Sequence, residues 1–303
     1  MRALLAVMTV AAMCGIASAE EIVEIPYAPE VGSQWAVEEV LTRSRTDENG
    51  AQTHTIGTIR GVLVIERMSA TGFDATWTTE SVEAGGVVID AANGGVLMIG
   101  VPLGLSLDRD GAPSAVRDWQ SVLRRIIDAV EAVEQNPDQR ALAAVERMYS
   151  NMTPETAAAL LFKNLAAAST CQGIAEVPGV PVDADGYMTS GLGGPPILVR
   201  ERFELASVDR DRGVALIRFS QALDPDSAAA SMREGMQRLA RDAGRPLDEV
   251  ITQFEGGLSH TTTVSCETDL ETGVPRSVTH EVHARTGPAE QRERREITIR
   301  RRS

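Results

Sequence analysis

Leu258-Ser259-His260-Thr261-Thr262-Thr263-Val264-Ser265-Cys266-Glu267 and Arg276-Ser277-Val278-Thr279-His280-Glu281-Val282-His283-Ala284-Arg285 are the two stretches that decide the fold. In an extended chain successive side chains point to opposite faces. Leu258, His260, Thr262, Val264 and Cys266 therefore share one face, and Val278, His280, Val282 and Ala284 share the matching face of the next strand. Asp269, Glu271, Thr272 and Gly273 between them are turn chemistry. An antiparallel register with Val264 opposite Val278 puts both apolar sets on one side, which specifies a sheet with one covered and one wet face.

The same alternation recurs on both sides of this hairpin. Gln34 to Arg67 reads as an earlier hairpin around Asp47, Glu48, Asn49 and Gly50, and Phe73 to Val82 as a third strand, with further extended runs at Val87 to Ile89 and Val96 to Leu107. Ile197 to Val208 and Val214 to Leu223 are strands joined by Asp209-Arg210-Asp211-Arg212-Gly213. The last strand covers Glu293 to Arg302. Its arginines Arg292, Arg294, Arg295, Arg300, Arg301 and Arg302, with Glu290, Glu293 and Glu296, fit a charged edge strand that resists pairing with another chain.

Helical spacing replaces the alternation in five segments. Val116, Trp119, Leu123, Ile126, Val130 and Val133 line one helical stripe, and Leu142, Val145, Tyr149 and Met152 a second. Thr153 followed by Pro154 caps an alanine-rich helix reaching about Ser169, and Asp224-Pro225 starts another that Gly244 ends. Leu247, Val250, Ile251 and Phe254 fit one more short helix. The order predicts an α+β fold, a curved and mostly antiparallel β-sheet with helices covering one face; each half repeats a meander and a helical insert, but no fixed sequence period makes this a true repeat. The expected division is 20–172 for the N-terminal meander and helical layer, a Gly/Pro-rich, loop-like connector at 173–196, and 197–303 for the C-terminal strands and helical insert.

Residues 1–19 read as a secretory signal peptide. Met1 and Arg2 give the positive start, Ala3 to Ile16 the apolar run, and Ala17-Ser18-Ala19 the small-residue site, with cleavage between Ala19 and Glu20. The destination is then the periplasm or the exterior, and no other run is long and apolar enough for a transmembrane segment. Of three cysteines, Cys14 leaves with the signal, and in an oxidising compartment Cys171 and Cys266 are expected to pair. A formal charge of -14 over 303 residues repels phosphate backbones, so nucleic acid is an unsuitable partner.

The chain has no G-x-S-x-G elbow, no phosphate loop, no G-x-G-x-x-G and no H-E-x-x-H, and its single lysine, Lys163, excludes S-x-x-K. Nothing calls for a cofactor, and these absences favour a non-enzymatic protein. His280 and His283 are three apart on a strand and face opposite ways, so they do not form a metal pair. His260 and His280 share a face and are the pocket candidates. Asp108-Arg109-Asp110-Gly111, Asp183-Ala184-Asp185-Gly186 and Asp209-Arg210-Asp211-Arg212-Gly213 open like calcium loops but lack the downstream glutamate, which leaves turn chemistry.

Val31-Gly32-Ser33-Gln34-Trp35, Leu107-Asp108-Arg109-Asp110-Gly111 and Asp269-Leu270-Glu271-Thr272-Gly273-Val274-Pro275 occur in an order that resembles uncharacterised exported bacterial proteins of the domain-of-unknown-function type. More distantly the layout is similar to lipoprotein-carrier-like folds. That resemblance implies a curved antiparallel sheet with helices on its concave side and an apolar ligand or an envelope protein as partner. It brings no catalytic residues. The alternatives are a structural or assembly protein working through its surface, and an enzyme of an unrecognised, hydrolase-like class, which would need His260 or His280 beside Asp, Glu or Ser.

Overall fold

The computed structural model describes residues 21–90, 99–133, 147, 149–190, 194–244, 246 and 258–302. The expected signal sequence, the helix around Leu142 and Val145, the helix from Leu247 to Phe254 and the expected strand start at Val96 lie outside the described residues.

A short strand β1 (Val23–Ile25) leads to the hairpin β2 (Gln34–Thr46) and β3 (Gln52–Ser69), then β4 (Gly72–Ala84), β5 (Val87–Asp90), β6 (Pro102–Asp108) and β7 (Pro113–Val116). Helices α1 (Trp119–Val133), α2 (Pro154–Leu161) and α3 (Lys163–Ser169) follow, and then β8 (Ile174–Glu176), β9 (Val182–Met188), β10 (Ile197–Asp209) and β11 (Val214–Leu223). Helix α4 (Pro225–Ala243) precedes β12 (Leu258–Asp269), β13 (Pro275–Thr286) and β14 (Ala289–Arg301). The main sheet runs β7-β6-β4-β3-β2-β14-β13-β12-β11-β10-β9, with β5 also on β4, and is open and curved. Every pairing in it is antiparallel. Strands β1 and β8 make a separate two-stranded sheet. The fold is α+β, as the alternation implies.

Register explains which face is covered. Leu205, Ile217, Cys266, Val278 and Ile297 are successive cross-strand partners on β10 to β14, and all five are buried. Against this apolar row, and against Val37, Leu63, Ile65 and Ala75 on β2, β3 and β4, pack Trp119 and Val122 of α1, Ala157 and Ala158 of α2 and Leu165 and Ala168 of α3. Removing that apolar surface from water is the main stabilising force. Helix α4 lies against β10 and β12, capped as the sequence implies: the Asp224 carboxylate accepts from the Ser227 N–H at 2.9 Å, and Gly244 closes the helix with φ 62°. Cys171, just past α3, is bonded to Cys266 of β12, which ties the helical layer to the sheet.

Several readings change. The β12–β13 register pairs Val264 with His280 and Cys266 with Val278, two residues from the expected alignment. A two-residue slip keeps every side chain on its face. Val116 ends β7 instead of starting a helix, and the helix expected from Pro154 to Ser169 breaks at Phe162, whose buried ring meets Trp77 edge-on at 6.2 Å. The stretch read as loop-like, 173–196, contains β8 and β9, so Asp183-Ala184-Asp185-Gly186 is strand and not turn. Asp108 and Asp209 do make turns, accepting N–H groups of Asp110 and Ala112 and of Arg212.

The largest change concerns β14. It is not an edge but lies in mid-sheet between β13 and β2. Its arginines are accommodated because carboxylates stand beside them: Arg294 donates to Glu281 at 2.7 Å and to Glu296 at 2.6 Å, and Arg292 to Glu290 at 2.6 Å.

Gly72 opens β4 with φ +148°, and a Cβ there would stand 2.1 Å from the Leu107 carbonyl oxygen of the neighbouring strand. Gly72→Ala is therefore expected to destabilise by about 2–4 kcal/mol, through strain and displacement of β6. A urea melt of the variant checks this; an unchanged midpoint would contradict the close approach.

Candidate functional site

On the face opposite the core, the strands carry short hydroxyl side chains and long charged ones in rows that cross the sheet. One row runs Asp183, Arg202, Ser220, Thr263 from β9 to β12 and continues Glu281, Arg294, Thr42 on β13, β14 and β2. The next row has Asp185, Arg200, Ala222, Thr261, then His283, Arg292, Ser44. Because β11 and β12 bear only small residues in these two rows, between the arginines of β10 and the Glu281 and His283 of β13, a trough opens along them.

Three adjoining grooves follow from this relief. One of about 500 Å³ is bounded by Arg200 and Arg202 and floored by Ser220, Ala222, Thr261 and Thr263. A second, of about 310 Å³, extends it along the strands to Arg218, Ser265 and Thr279. A third, of about 490 Å³, lies over the ridge of Glu281, His283, Arg292 and Arg294 and reaches Thr42 and Ser44. Alternation places all these side chains on one face, and only register aligns them into walls and floor.

The ion pairs on the two walls differ. On the β10 side Arg202 stands 3.6 Å from Asp183 and Arg218 3.8 Å from Glu204, beyond direct hydrogen-bond distance. On the β13 side Glu281 is closed onto Arg294 at 2.7 Å, and Glu290 accepts from His283 at 3.0 Å and from Arg292 at 2.6 Å. Arg292 and His283 hold the Glu290 carboxyl below its ordinary range, and the Glu296 and Glu281 carboxylates push the Arg294 guanidinium up.

Behind this ridge, on the core face, is a second charged cluster. Glu39 is the next cross-strand partner after Ile297 in the apolar row and is only 2% exposed. The Arg295 guanidinium bridges it to Glu293, which Arg43 also reaches from β2. Burial pushes the Glu39 carboxyl up, Arg295 pulls it back, and Glu293 adds to the rise. Glu293 itself is held below the usual carboxylate range: burial opposes this, but its hydrogen bonds from Arg43 and Arg295 prevail.

His260 and His280, which the strand pattern singles out for a pocket, both lie half-buried on the core face, and neither lines the three grooves. His260 Nε2 is 3.1 Å from the Thr262 hydroxyl, and His280 Nδ1 is buried without a hydrogen-bond partner. Burial lowers both imidazoles below their ordinary value, Arg295 and His260 lowering His280 further while Glu293 opposes. A depressed folded pKa means that the unfolded chain takes up the proton first. Stability present at neutral pH is then lost as pH falls through the usual histidine value of about 6.5. His280→Gln is expected to flatten the fall in urea midpoint between pH 7.5 and pH 5; an unchanged slope would show that His280 takes up its proton equally readily in the folded and unfolded chain.

Sequence reasoning found the two histidines but missed both the trough and the Glu39 cluster. Each is a cross-strand feature, and the sole local signal was the clustering of threonines at Thr261, Thr262 and Thr263. Among the described residues no cluster of metal-ligating side chains occurs, and no helix is long and apolar enough to cross a membrane.

No family model matches the chain, and no curated protein matches it. Among solved structures it is similar to lipovitellin, described for its lipid–protein interactions, with 9% identity and a TM-score of 0.42 over 89% of this chain and 25% of that one. It is also similar to an outer membrane channel from Pseudomonas putida F1, with 8% identity and a TM-score of 0.18 over 90% and 97% of the two chains. The chain thus spans about a quarter of lipovitellin's length.

Proposed function

We propose that this chain is an exported, non-enzymatic binding protein in which the core end of the sheet and its helices form a rigid scaffold and the trough over β11 and β12 receives a ligand or an envelope partner. The observation that carries the reading is the run of adjoining grooves on the face opposite the core, built on strands that the disulfide-tied helical layer braces from behind. A site on a sheet braced in this way is pre-organised, which reduces the entropy lost on binding. The absence of nucleotide, zinc-protease and serine-hydrolase motifs supports binding over catalysis.

A second reading places an apolar ligand on the core face. Strands β2, β3, β13 and β14 continue past the buried layer, and Leu41, Ile59, Val282 and Ala284 on that extension are half-buried. These residues offer apolar surface to an acyl chain or to a partner.

The two readings separate by position. With a photoreactive benzoylphenylalanine in place of Thr263 or Ala284, crosslinking in an envelope extract is expected at Thr263 for a trough occupant, and at Ala284 for the apolar reading. Crosslinks at neither position would remove both. The same preparation checks export, because the mature protein is expected to begin at Glu20 in an intact-mass measurement.

A further inference from the structure

We propose that the trough takes a neutral, linear oligosaccharide chain, an inference that rests on the trough being the binding surface. A sugar hydroxyl donates one hydrogen bond and accepts others, so it is best held where a carboxylate and a guanidinium lie side by side. The β10 side offers that arrangement twice, at Asp183 of β9 with Arg202 of β10 and, where the trough runs on along the strands, at Glu204 of β10 with Arg218 of β11, and at 3.6 and 3.8 Å neither pair is closed on itself. Both arginines are more than half exposed. Their N–H groups and the neighbouring carboxylate oxygens can all reach a hydroxyl standing between them.

The floor fits the same ligand. Ser220, Thr263 and Thr261 present hydroxyls spaced about 5 Å across the strands and roughly 7 Å along them, on a backbone whose hydrogen bonds are already made. With only small side chains beneath it, a pyranose ring can approach closely.

Other classes fit less well. Acidic and basic side chains are matched along the β10 wall, so neither an anionic nor a cationic polymer finds a complementary field, and a polyanion also meets the repulsion of a chain with net charge -14. An extended peptide adding as a strand needs free backbone N–H and C=O groups, and β10, β11, β12 and β13 are each paired on both sides. An acyl chain would find Ala222 and the threonine methyl groups on the floor, but it would have to lie between the charged side chains of the walls. Among the described residues no aromatic side chain points into the floor, so stacking contributes nothing there; the affinity per sugar is low and grows with chain length.

Amide-detected NMR titration of the full mature protein tests the proposal with cellohexaose, maltohexaose and chitohexaose as neutral probes, and with hexagalacturonate, hexalysine and lysophosphatidylcholine micelles as alternatives. The expected result is that at least one neutral hexamer shifts the amides of Ser220, Thr261 and Thr263, about tenfold more tightly than its dimer. Thr263→Val, which keeps the shape and strand preference, should weaken that binding roughly fivefold with an unchanged thermal midpoint. Hexagalacturonate, hexalysine or micelles shifting these amides more tightly than every neutral hexamer would overturn the ligand class and leave the trough as the binding surface. Shifts from no probe, together with no crosslink at Thr263, would overturn both.

Discussion

Replacing Cys171 and Cys266 together by alanine is expected to lower the unfolding free energy by about 4–5 kcal/mol and the thermal midpoint by roughly 10 °C. The bridge closes a loop of 95 residues, and in the chain-entropy description a loop of that length removes this much disorder from the unfolded chain. Both cysteines are almost completely buried, at 0% and 1% exposure, so a reductant reaches them only when the chain opens. Native protein should accordingly resist reduction at neutral pH and lose the bridge in urea. The bridge also positions the exit of α3: the Thr268 hydroxyl donates to the Cys171 carbonyl at 3.2 Å, a contact that the alanine pair leaves without its anchor. Circular-dichroism melts of both forms measure the effect, and a loss below about 1 kcal/mol would mean that packing alone fixes the helical layer to β12.

Glu39→Ala is expected to cost about 3–5 kcal/mol, because it leaves the Arg295 guanidinium buried with only Glu293 to compensate it. The pair itself contributes little net stability, since desolvating two ions nearly cancels their attraction. Glu39→Leu combined with Arg295→Met should then recover most of the loss, as both replacements fill similar volume, the first in the row that already runs Leu205, Ile217, Cys266, Val278 and Ile297, the second between His280 and Leu41 in the neighbouring row. A double-mutant cycle in urea measures this. If the double variant is as unstable as Glu39→Ala, the cluster acts through Arg43 and Glu293 as a larger network than the pair.

Elements whose stabilising contacts are local were legible in the sequence. The turn at Asp47 to Gly50, the capped start of α4 at Asp224-Pro225 and its end at Gly244 depend on a few neighbouring residues, and they stand where the sequence put them. The same holds for the faces of β12 and β13, since a period of two fixes which residues point together whatever the partner. Strands β1, β8 and β9 escaped notice because the first two are three residues long and the third contains Asp183, Asp185 and Gly186, and only pairing with another strand makes them extended. Val23 finds Glu176, and Asp183 finds Arg202. The charged composition of β14 suggested an edge for a sound reason, since edges are guarded by charge. Its central position depends on carboxylates at Glu39 and Glu281, which lie on neighbouring strands and not in the local sequence.

By itself the sequence determined that this chain makes a one-sided antiparallel sheet with helices on its apolar face and a bridge between Cys171 and Cys266. Period, capping and cysteine count are properties of neighbouring residues or of composition, and they survive any change of partner. Tertiary structure alone decided the order of strands across the sheet, the two-residue register that sets His280 opposite Val264, and with them the trough. The physical reason is that a cross-strand row is assembled from residues as far apart as Thr42, Ser220 and Arg294, and the energy that selects one register lies in packing between those strands. The hydroxyl floor and the open ion pairs at Arg202 and Arg218 exist only once that register has been chosen.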